Sequence, residues 1–270
     1  GRVIAGGIAE AEAAASAAGM ACQGAHPVVA LYATFLNRGF DQLLMDVALH
    51  RAGVTFVLDR AGVTGADGAS HNGVWDIAMC SIIPGLRLAA PRDEETLRAR
   101  LREALDVDDA PTVIRYRKGA LPEPMPALRS VGGVDILFDE AVDGSSARVL
   151  IVGTGACAPD AIEAARRLSA GGVSVTVADP QWMVPVCPEL ATLARDYDCV
   201  VSVEDGIVQG GFGWSLRDAV AEAGMPVRCL GVPQGFPEHG DRSEMIAQFG
   251  FDAVGIERAA RELAERVGKR

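Results

Sequence analysis

Positive charge is scarce in this chain, and the shortage excludes one class of partner. The sequence has 270 residues, with 25 lysine and arginine residues against 36 aspartate and glutamate residues, so its formal net charge is -11. Binding to DNA or RNA requires a positively charged surface, so we expect no nucleic-acid partner. No apolar run reaches the ~20 residues of a membrane-spanning helix, and we expect no membrane association. The opening GRVIAGGIAEAE lacks the basic and then apolar layout of a signal peptide.

Paired cysteine motifs are also absent. The six cysteines are scattered and form no C-x-x-C pair: Cys22, Cys80, Cys157, Cys187, Cys199 and Cys229. This pattern is typical of reduced thiols, so we expect a cytoplasmic protein. None of the four histidines lies at zinc-ligand spacing from a cysteine, and we assign no metal ligand to this chain.

Aromatic residues make up only 5% of the sequence, whereas hydrophobic residues make up 49%, so the core must consist mainly of Ala, Val, Leu and Ile. Continuous apolar segments alternate with helical patterns, which predicts parallel sheets covered on both faces. The expected strands are 26–32, 54–59, 86–90, 112–116, 148–152, 173–178, 199–203 and 227–230. The expected helices are 9–22, 35–50, 94–105, 156–170, 189–196, 211–223, 243–249 and 252–267. The predicted fold class is α/β, with two doubly wound domains and mainly parallel sheets.

Three closely spaced prolines mark the expected domain boundary. Pro122, Pro124 and Pro126 cannot continue a helix or a central strand. We expect a first domain at 1–118, a linker at 119–146 with a small hairpin at 134–138, and a second domain at 147–270. Ligands of such sheets bind at the carboxyl ends of the strands.

Several residues near expected strand ends and helix starts are candidates for chemistry. Glu10 begins a predicted helix, where an acid commonly complements the helix dipole; the alternative is a buried proton donor. The loop RAGVTGADGASHNG at 60–73 is either a mobile surface turn or a functional loop. Arg60, Asp67 and His71 together favour the second interpretation, because arginine binds anions and histidine is suited to proton transfer.

Two further segments, YATFLNR at 32–38 and RYRKG at 115–119, carry candidates with ordinary alternatives. Tyr32 and Phe35 are compatible with a core position, and Arg38 with a solvated helix surface. RYRKG ends a predicted strand with three cations, and it is either a solvated edge or an anion site.

Taken together and in order, these segments resemble 1-deoxy-D-xylulose-5-phosphate synthases. The resemblance rests on GIAE at 7–10, AAGMA at 17–21, HPVVALYATFLNRGFDQLLMDVALH at 26–50, LDRAGVTGADGASHNG at 58–73, AAPRD at 89–93, RYRKG, VSVEDGIVQGGFG at 201–213 and LGVPQGF at 230–236. It covers the whole chain, and it corresponds to the family's pyrimidine-binding domain and its C-terminal transketolase-type domain.

The resemblance implies thiamine diphosphate and Mg²⁺ as cofactors, and pyruvate with glyceraldehyde 3-phosphate as substrates. It implies that Glu10 bonds N1′ of the aminopyrimidine, that Ile8 supports the bent cofactor, and that Phe35 stacks on the pyrimidine ring. It places four residues in the substrate pocket, with the last as a proton shuttle: Tyr32, Arg38, Asp67 and His71. Arg60 and Lys118 match positions that bind the acceptor phosphate.

Two segments depart from the family pattern. A Gln-His pair directly follows the glutamate in the family, whereas this chain has Ala11 and Glu12. The segment DPQWMVPVCPEL at 179–190 lacks the Arg, Lys and Asp that members carry near Gln181, Val184 and Cys187. We therefore expect the acceptor to be an aldehyde or another acyl acceptor.

The family's diphosphate and metal motif, Gly-Asp-Gly followed by Asn, does not occur in this sequence. In the superfamily, the cofactor lies between a pyrimidine-binding and a diphosphate-binding domain. We therefore expect thiamine diphosphate and Mg²⁺ to require a diphosphate-binding partner, the family's N-terminal half, from another chain or from a longer precursor.

Three functions fit the sequence. The first is one half of a synthase-like carboligase, and the loop GADGASHNG favours it. The second is a split transketolase-like or 2-oxo-acid dehydrogenase β-type subunit. The third is a non-catalytic regulatory subunit. The departures from the family pattern at 11–12 and 181–187 favour this third function. The presence of Glu10, Arg38, Arg60, Asp67 and His71 argues against that third function.

Overall fold

The computed structural model of the chain describes residues 3–120 and 122–269, which form two sheets with helices packed against them. Within these residues, the strands are β1 (Val28–Tyr32), β2 (Thr55–Asp59), β3 (Arg87–Ala89), β4 (Thr112–Arg115), β5 (Arg129–Val131), β6 (Val134–Glu140), β7 (Arg148–Gly153), β8 (Ser174–Asp179), β9 (Trp182–Val184), β10 (Cys199–Ile207) and β11 (Val227–Val232). The α-helices are α1 (Glu10–Ala21), α2 (Asp76–Ser81), α3 (Glu94–Leu105), α4 (Ala158–Ala170), α5 (Pro188–Ala194), α6 (Phe212–Ala219), α7 (Arg242–Phe249) and α8 (Ala253–Val267).

The first sheet has the order β1-β2-β4-β3-β9, and its first four strands run parallel. All four residues of β4 are buried, because helices cover both faces of the sheet. Phe56 and Leu58 of β2 are fully buried in the core beneath α1 and the segment that follows β1.

The second sheet has the order β11-β10-β7-β8-β6-β5 and is parallel from β11 to β8. Every residue of β10 is buried, and α4 and α8 pack against the sheet and each other. The predicted α/β class with two mainly parallel sheets is therefore confirmed.

The predicted linker holds more structure than a connection requires. The hairpin expected at 134–138 is displaced: these residues form part of the single strand β6, and the hairpin lies further upstream, where β5 pairs antiparallel with β6 and Val131 stands opposite Val134. β6 also pairs antiparallel with β8, so this part of the segment 119–146 belongs to the second sheet rather than lying between the sheets.

Strand β9 joins the two halves of the chain. It follows β8 of the second sheet in sequence, yet it pairs antiparallel with β3 and forms the edge of the first sheet, with Ala89 opposite Trp182. Arg115 at the end of β4 adds a polar connection. It donates to Asp76 at 2.7 and 3.2 Å and to the backbone carbonyl of Asp205 at 2.9 Å.

One predicted helix is wrong in type and continuity. Residues 35–50 were expected as a single α-helix, but a 3₁₀ helix spans Ala33–Arg38 and a π-helix spans Gln42–Ala48. Between them, Gly39 packs against the start of α1, where an added Cβ would lie 3.1 Å from the Glu10 carbonyl oxygen. The close approach of α1 therefore accompanies a change in helical geometry at this point. Within the described ranges, no helix has both the length and the apolar character needed to cross a membrane.

Candidate functional site

The candidate site lies at the carboxyl ends of β1 and β2. Tyr32 and Asp59, the last residues of these strands, are paired in register. The 3₁₀ helix at Ala33–Arg38 and the glycine-rich loop at 60–73 therefore leave the same edge of the sheet. Thr34 connects them, because its hydroxyl donates to the backbone carbonyl of Ser70 at 2.9 Å.

Glu10 lies at this edge as the first residue of α1. Its side chain is 11% exposed, and its carboxylate lies 3.8 Å from the Arg38 guanidinium, beyond hydrogen-bonding distance. Among the residues that the structure describes, no hydrogen bond to the Glu10 carboxylate is found. This largely buried carboxyl group therefore keeps its acceptor capacity for an N–H group of a ligand.

Aromatic rings and cations continue the site from Arg38. The Arg38 guanidinium lies 4.7 Å from the ring centre of Phe35, and the Tyr32 ring stacks on Phe35 at 5.9 Å. On the loop side, His71 meets the Phe35 ring edge-on at 5.5 Å. The Arg60 guanidinium lies 4.0 Å from the Tyr32 ring centre. The structure thus brings these predicted site residues into one continuous cluster.

Two other predicted residues meet beside the cluster. The Lys118 ammonium donates to both oxygens of the Asp67 carboxylate, at 2.8 and 2.9 Å. These hydrogen bonds lower the pKa of Asp67 below its ordinary value, and the positive charges of Lys118, His71 and Arg60 act in the same direction. Arg60 itself forms an ion pair with Asp59. Asp67 is therefore ionised at neutral pH, and both cations assigned to an acceptor phosphate already have carboxylate partners.

A groove of about 400 Å³ opens over the 3₁₀ helix and the loop. It is lined by Thr34, Phe35, Asn37, Arg38, Ala69, Ser70, Trp75 and Phe236. Phe236 comes from the second half of the chain and meets Trp75 edge-on at 5.4 Å. Both halves of the chain therefore contribute to the wall of the candidate site.

The remaining expectations concern residues outside the cluster. Ile8 is 87% exposed, so its side chain is available for an apolar contact. Glu12, one of the departures from the family, is exposed and accepts a hydrogen bond from Ser16 at 3.0 Å. At the second departure, Gln181 donates to Asp135 at 2.5 Å and lies next to β9. Across residues 3–120 and 122–269, no group of three His, Cys, Asp or Glu side chains is arranged to hold a metal ion.

The sequence did not reveal the residues that hold the loop in place. Asn72, which is fully buried, accepts hydrogen bonds from the backbone N–H groups of Thr64 at 2.8 Å and Gly65 at 3.3 Å. Asp205 and Arg242 contact the loop at Val63 from the second half of the chain. The position of Asn72, a polar residue directly after His71, was a signal that it supports the loop. No local pattern indicates that Arg242 contacts a loop so far away in the sequence.

Two family models match successive parts of the chain. Residues 1–124 match the family "Transketolase, pyrimidine binding domain", and residues 141–256 match the family "Transketolase, C-terminal domain". The chain is 52% identical to 1-deoxy-D-xylulose-5-phosphate synthase 2 of Streptomyces avermitilis, over 100% of this chain and 42% of that protein. It is also 52% identical to 1-deoxy-D-xylulose-5-phosphate synthase of Corynebacterium glutamicum strain R, over 93% of this chain and 40% of that protein. The chain therefore spans less than half the length of these relatives.

Solved structures show the same fold. A split-gene transketolase described as an inactive β4 tetramer is 26% identical, with a TM-score of 0.79 over 95% of this chain and 81% of that chain. The transketolase from Leishmania mexicana is 24% identical, with a TM-score of 0.78 over 97% of this chain and 38% of that chain.

Proposed function

Because the chain belongs to the 1-deoxy-D-xylulose-5-phosphate synthase family, as its transketolase-type pyrimidine-binding and C-terminal domains, we propose that it is one half of a thiamine diphosphate-dependent carboligase. The proposed reaction removes CO₂ from pyruvate and joins the remaining two-carbon unit to the carbonyl carbon of an aldehyde or another acyl acceptor. The six free cysteines favour a reducing compartment, so we propose a cytoplasmic location.

The observation that carries the proposal is the environment of Glu10. Its carboxylate is largely buried at the start of α1, lies 3.8 Å from Arg38, which in turn lies over the Phe35 ring, and is free to accept a hydrogen bond. These residues fit an aminopyrimidine, since a carboxyl group suits a ring nitrogen and Phe35 offers an aromatic ring for stacking. Ile8 supplies an exposed apolar side chain nearby in sequence. When bound, thiamine diphosphate supplies a carbanion equivalent that the protein itself cannot form.

The other residues of the cluster bind substrate and handle protons. Arg38 and Arg60 offer positive charge to the carboxylate of pyruvate or the phosphate of an acceptor. Lys118 can join them once it leaves Asp67. Because His71 lies against Phe35 and its Nδ1 is 2.9 Å from the Ser70 hydroxyl, we assign it the proton transfer to and from the acceptor oxygen.

A second half is required to complete the cofactor site. The chain spans 42% of the Streptomyces avermitilis relative, and its sequence contains no Gly-Asp-Gly motif. We propose that a diphosphate-binding domain, from another chain or from another part of a longer polypeptide, supplies the Mg²⁺ ligands and grips the diphosphate. The structural neighbour that is a split-gene transketolase and an inactive β4 tetramer supports this division.

The test is isothermal titration of thiamine diphosphate with Mg²⁺ into the chain alone and into its mixture with a candidate diphosphate-binding domain. We expect heat of binding only in the mixture, and CO₂ release from pyruvate once an acceptor is present. Tight, Mg²⁺-dependent binding by the chain alone would contradict the requirement for a second half. Binding in neither sample would favour the regulatory function.

A second candidate is a split transketolase-like subunit. It is favoured by the likeness to the split-gene transketolase, whose length this chain covers to 81%. The two candidates differ in the donor substrate, because a transketolase cleaves a ketose phosphate and releases no CO₂. Turnover with a ketose phosphate and none with pyruvate would select this second function.

A further inference from the structure

The glycine-rich loop is held at one main-chain position by two charged side chains from the second half of the chain. Asp205, which is 2% exposed, accepts a hydrogen bond from the backbone N–H of Val63 at 2.9 Å. The Arg242 guanidinium donates to the carbonyl oxygen of Val63. Arg242 also donates to Asp205 at 2.7 Å. The two side chains and the peptide groups of Val63 thus form a closed ring of hydrogen bonds, which we call the Val63 clamp.

Glycines allow the loop backbone to come this close to the clamp. Gly62 has a φ of 81°, and a Cβ there would overlap the Asp205 carboxylate. Gly65 has a φ of 72°, and a Cβ there would lie 2.7 Å from the carbonyl oxygen of Gly240 and 2.8 Å from the backbone nitrogen of Arg242. Both the conformation and the space at these positions therefore require glycine.

Asn72 carries the restraint to the far end of the loop. Its amide oxygen accepts from the N–H groups of Thr64 and Gly65, directly after the clamped residue. Its amide nitrogen donates to the Gly68 carbonyl oxygen at 3.0 Å. Since Asn72 follows His71, a backbone fixed at Val63 also fixes the segment that carries Asp67 and His71.

We propose that Arg242 is a positioning residue for the loop at 60–73, with Asp205 as its counter-ion, and that the second sheet thereby sets the positions of Asp67 and His71. Arginine suits this task because its planar fork donates to a carboxylate and a carbonyl at once. Only the consequence for turnover rests on the proposed function. The clamp itself consists of residues of this chain and requires neither a second domain nor a cofactor.

The first test uses hydrogen–deuterium exchange of the chain without cofactor. We expect Arg242→Met to accelerate exchange in peptides covering 60–73 by roughly tenfold, while peptides covering β1 keep their rates. Arg242→Lys keeps the charge but loses the fork, so we expect an intermediate rate. Arg92→Met is the control, because Arg92 is also a largely buried arginine, with 4% of its side chain exposed against 22% for Arg242, and its carboxylate partners, Asp135 at 2.8 Å and Asp179 at 2.9 Å, lie outside the loop.

The outcomes separate the clamp from general loosening of the fold. Unchanged loop exchange in a folded Arg242→Met variant overturns the proposal. The same loop acceleration in Arg92→Met overturns it as well, because the effect would then follow any loss of a buried ion pair. Acceleration confined to the Arg242 variants supports it.

The second test measures turnover in the assembly with a diphosphate-binding domain. A loop displaced by about 1 Å lowers catalytic efficiency up to roughly 100-fold, so we expect a fall of this kind in kcat/KM for the acceptor, with partial rescue by Arg242→Lys. The Kd for thiamine diphosphate should change less than kcat/KM, because Glu10 belongs to α1 and Phe35 to the 3₁₀ helix, which the loop touches through Ser70 and His71 without carrying either residue. Unchanged kcat/KM overturns the positioning role. An inactive wild-type assembly instead contradicts the proposed function and leaves the exchange test valid.

Discussion

The Lys118 ammonium and the Asp67 carboxylate form a two-point hydrogen-bonded pair, at 2.8 and 2.9 Å, beside the candidate site. The resemblance assigns Asp67 to the substrate pocket and Lys118 to the acceptor phosphate. In the structure, the two side chains bind each other. Under the proposed function, an anionic acceptor competes with Asp67 for Lys118. We therefore expect the carboxylate to raise the concentration of acceptor needed to occupy this position.

Removal of the lysine should change the titration of Asp67. Lys118→Met takes away the hydrogen bonds that lower the Asp67 pKa, so we expect that pKa to rise toward its ordinary value. Carboxyl-carbon NMR across the acid range measures the midpoint. Lys269→Met is the control, since Lys269 is the other lysine in the sequence and should leave the midpoint unchanged. An Asp67 midpoint that stays low in Lys118→Met would show that other groups hold the carboxylate.

Replacement of Glu10 should abolish most of the turnover of the assembled enzyme. Glu10→Gln keeps the shape of the side chain but removes the acid, and we expect turnover to fall by ~10²–10⁴-fold. Thermal unfolding should change little, because the nearest cation, Arg38, lies 3.8 Å away and is 55% exposed. Glu12→Gln is the control, because Glu12 is exposed and bonded to Ser16. If Glu10→Gln turned over as fast as the wild type, the catalytic assignment would fail.

A buried acid in the second sheet should make stability depend on pH. Burial raises the pKa of Glu204 to about 7 from its ordinary 4.5, while hydrogen bonds from the N–H groups of Gly213 and Phe212 oppose the rise. The folded chain thus keeps a proton that the unfolded chain releases near pH 4.5. The contribution of Glu204 to the free energy of unfolding is full below that pH and is lost as the pH rises through about 7.

Glu204→Gln should remove this dependence. Urea unfolding at several pH values between 5 and 8 should show a slope shallower than that of the wild type by up to ~1.4 kcal/mol per pH unit. Glu222→Gln, at an exposed position, should keep the wild-type slope. Parallel curves for Glu204→Gln and the wild type would mean that Glu204 is ionised throughout the range.

Two glycines of the loop allow a matched comparison of strain and space. Gly62 and Gly68 have nearly equal φ angles, 81° and 80°, but a Cβ at Gly68 would meet no atom within 4 Å. We expect Gly68→Ala to cost about 1–3 kcal/mol of unfolding free energy from its backbone conformation alone, because a φ of 80° with a ψ of 179° is readily adopted only by glycine. Gly62→Ala should cost about 3 kcal/mol or more, because the methyl group must displace the Asp205 carboxylate. Equal losses by denaturant unfolding would contradict the close contact.

The sequence predicted the parallel sheets well, because buried strands such as β2 and β7 leave continuous apolar runs. It missed α2 and β9 for a shared reason. α2 has six residues and β9 has three, which is too short for a periodic pattern, and β9 depends on a pairing with β3 that lies far away in sequence. The π-helix at Gln42–Ala48 was also missed, since its apolar spacing resembles that of an α-helix.

At the site, the family resemblance indicated the residues around Phe35 but not the residues that hold the neighbouring loop in place. Phe35 and Arg38 belong to one short segment, YATFLNR, which the resemblance marked as part of the site. Arg242 is far from Val63 in the chain, and no residue pattern around it differs from an ordinary helix start capped by Asp241. Contacts of this kind follow from the packing of the two sheets rather than from local sequence.

Strand β9 makes the two halves poor candidates for separate expression. An excised first half would lose its edge strand and leave the backbone of β3 open to pairing with a neighbouring molecule. An excised second half would carry Trp182 and Met183 on a strand without its pairing partner. Separate expression of the two matched domains would therefore expose β3 and β9 as unpaired strands, which the undivided chain covers with each other.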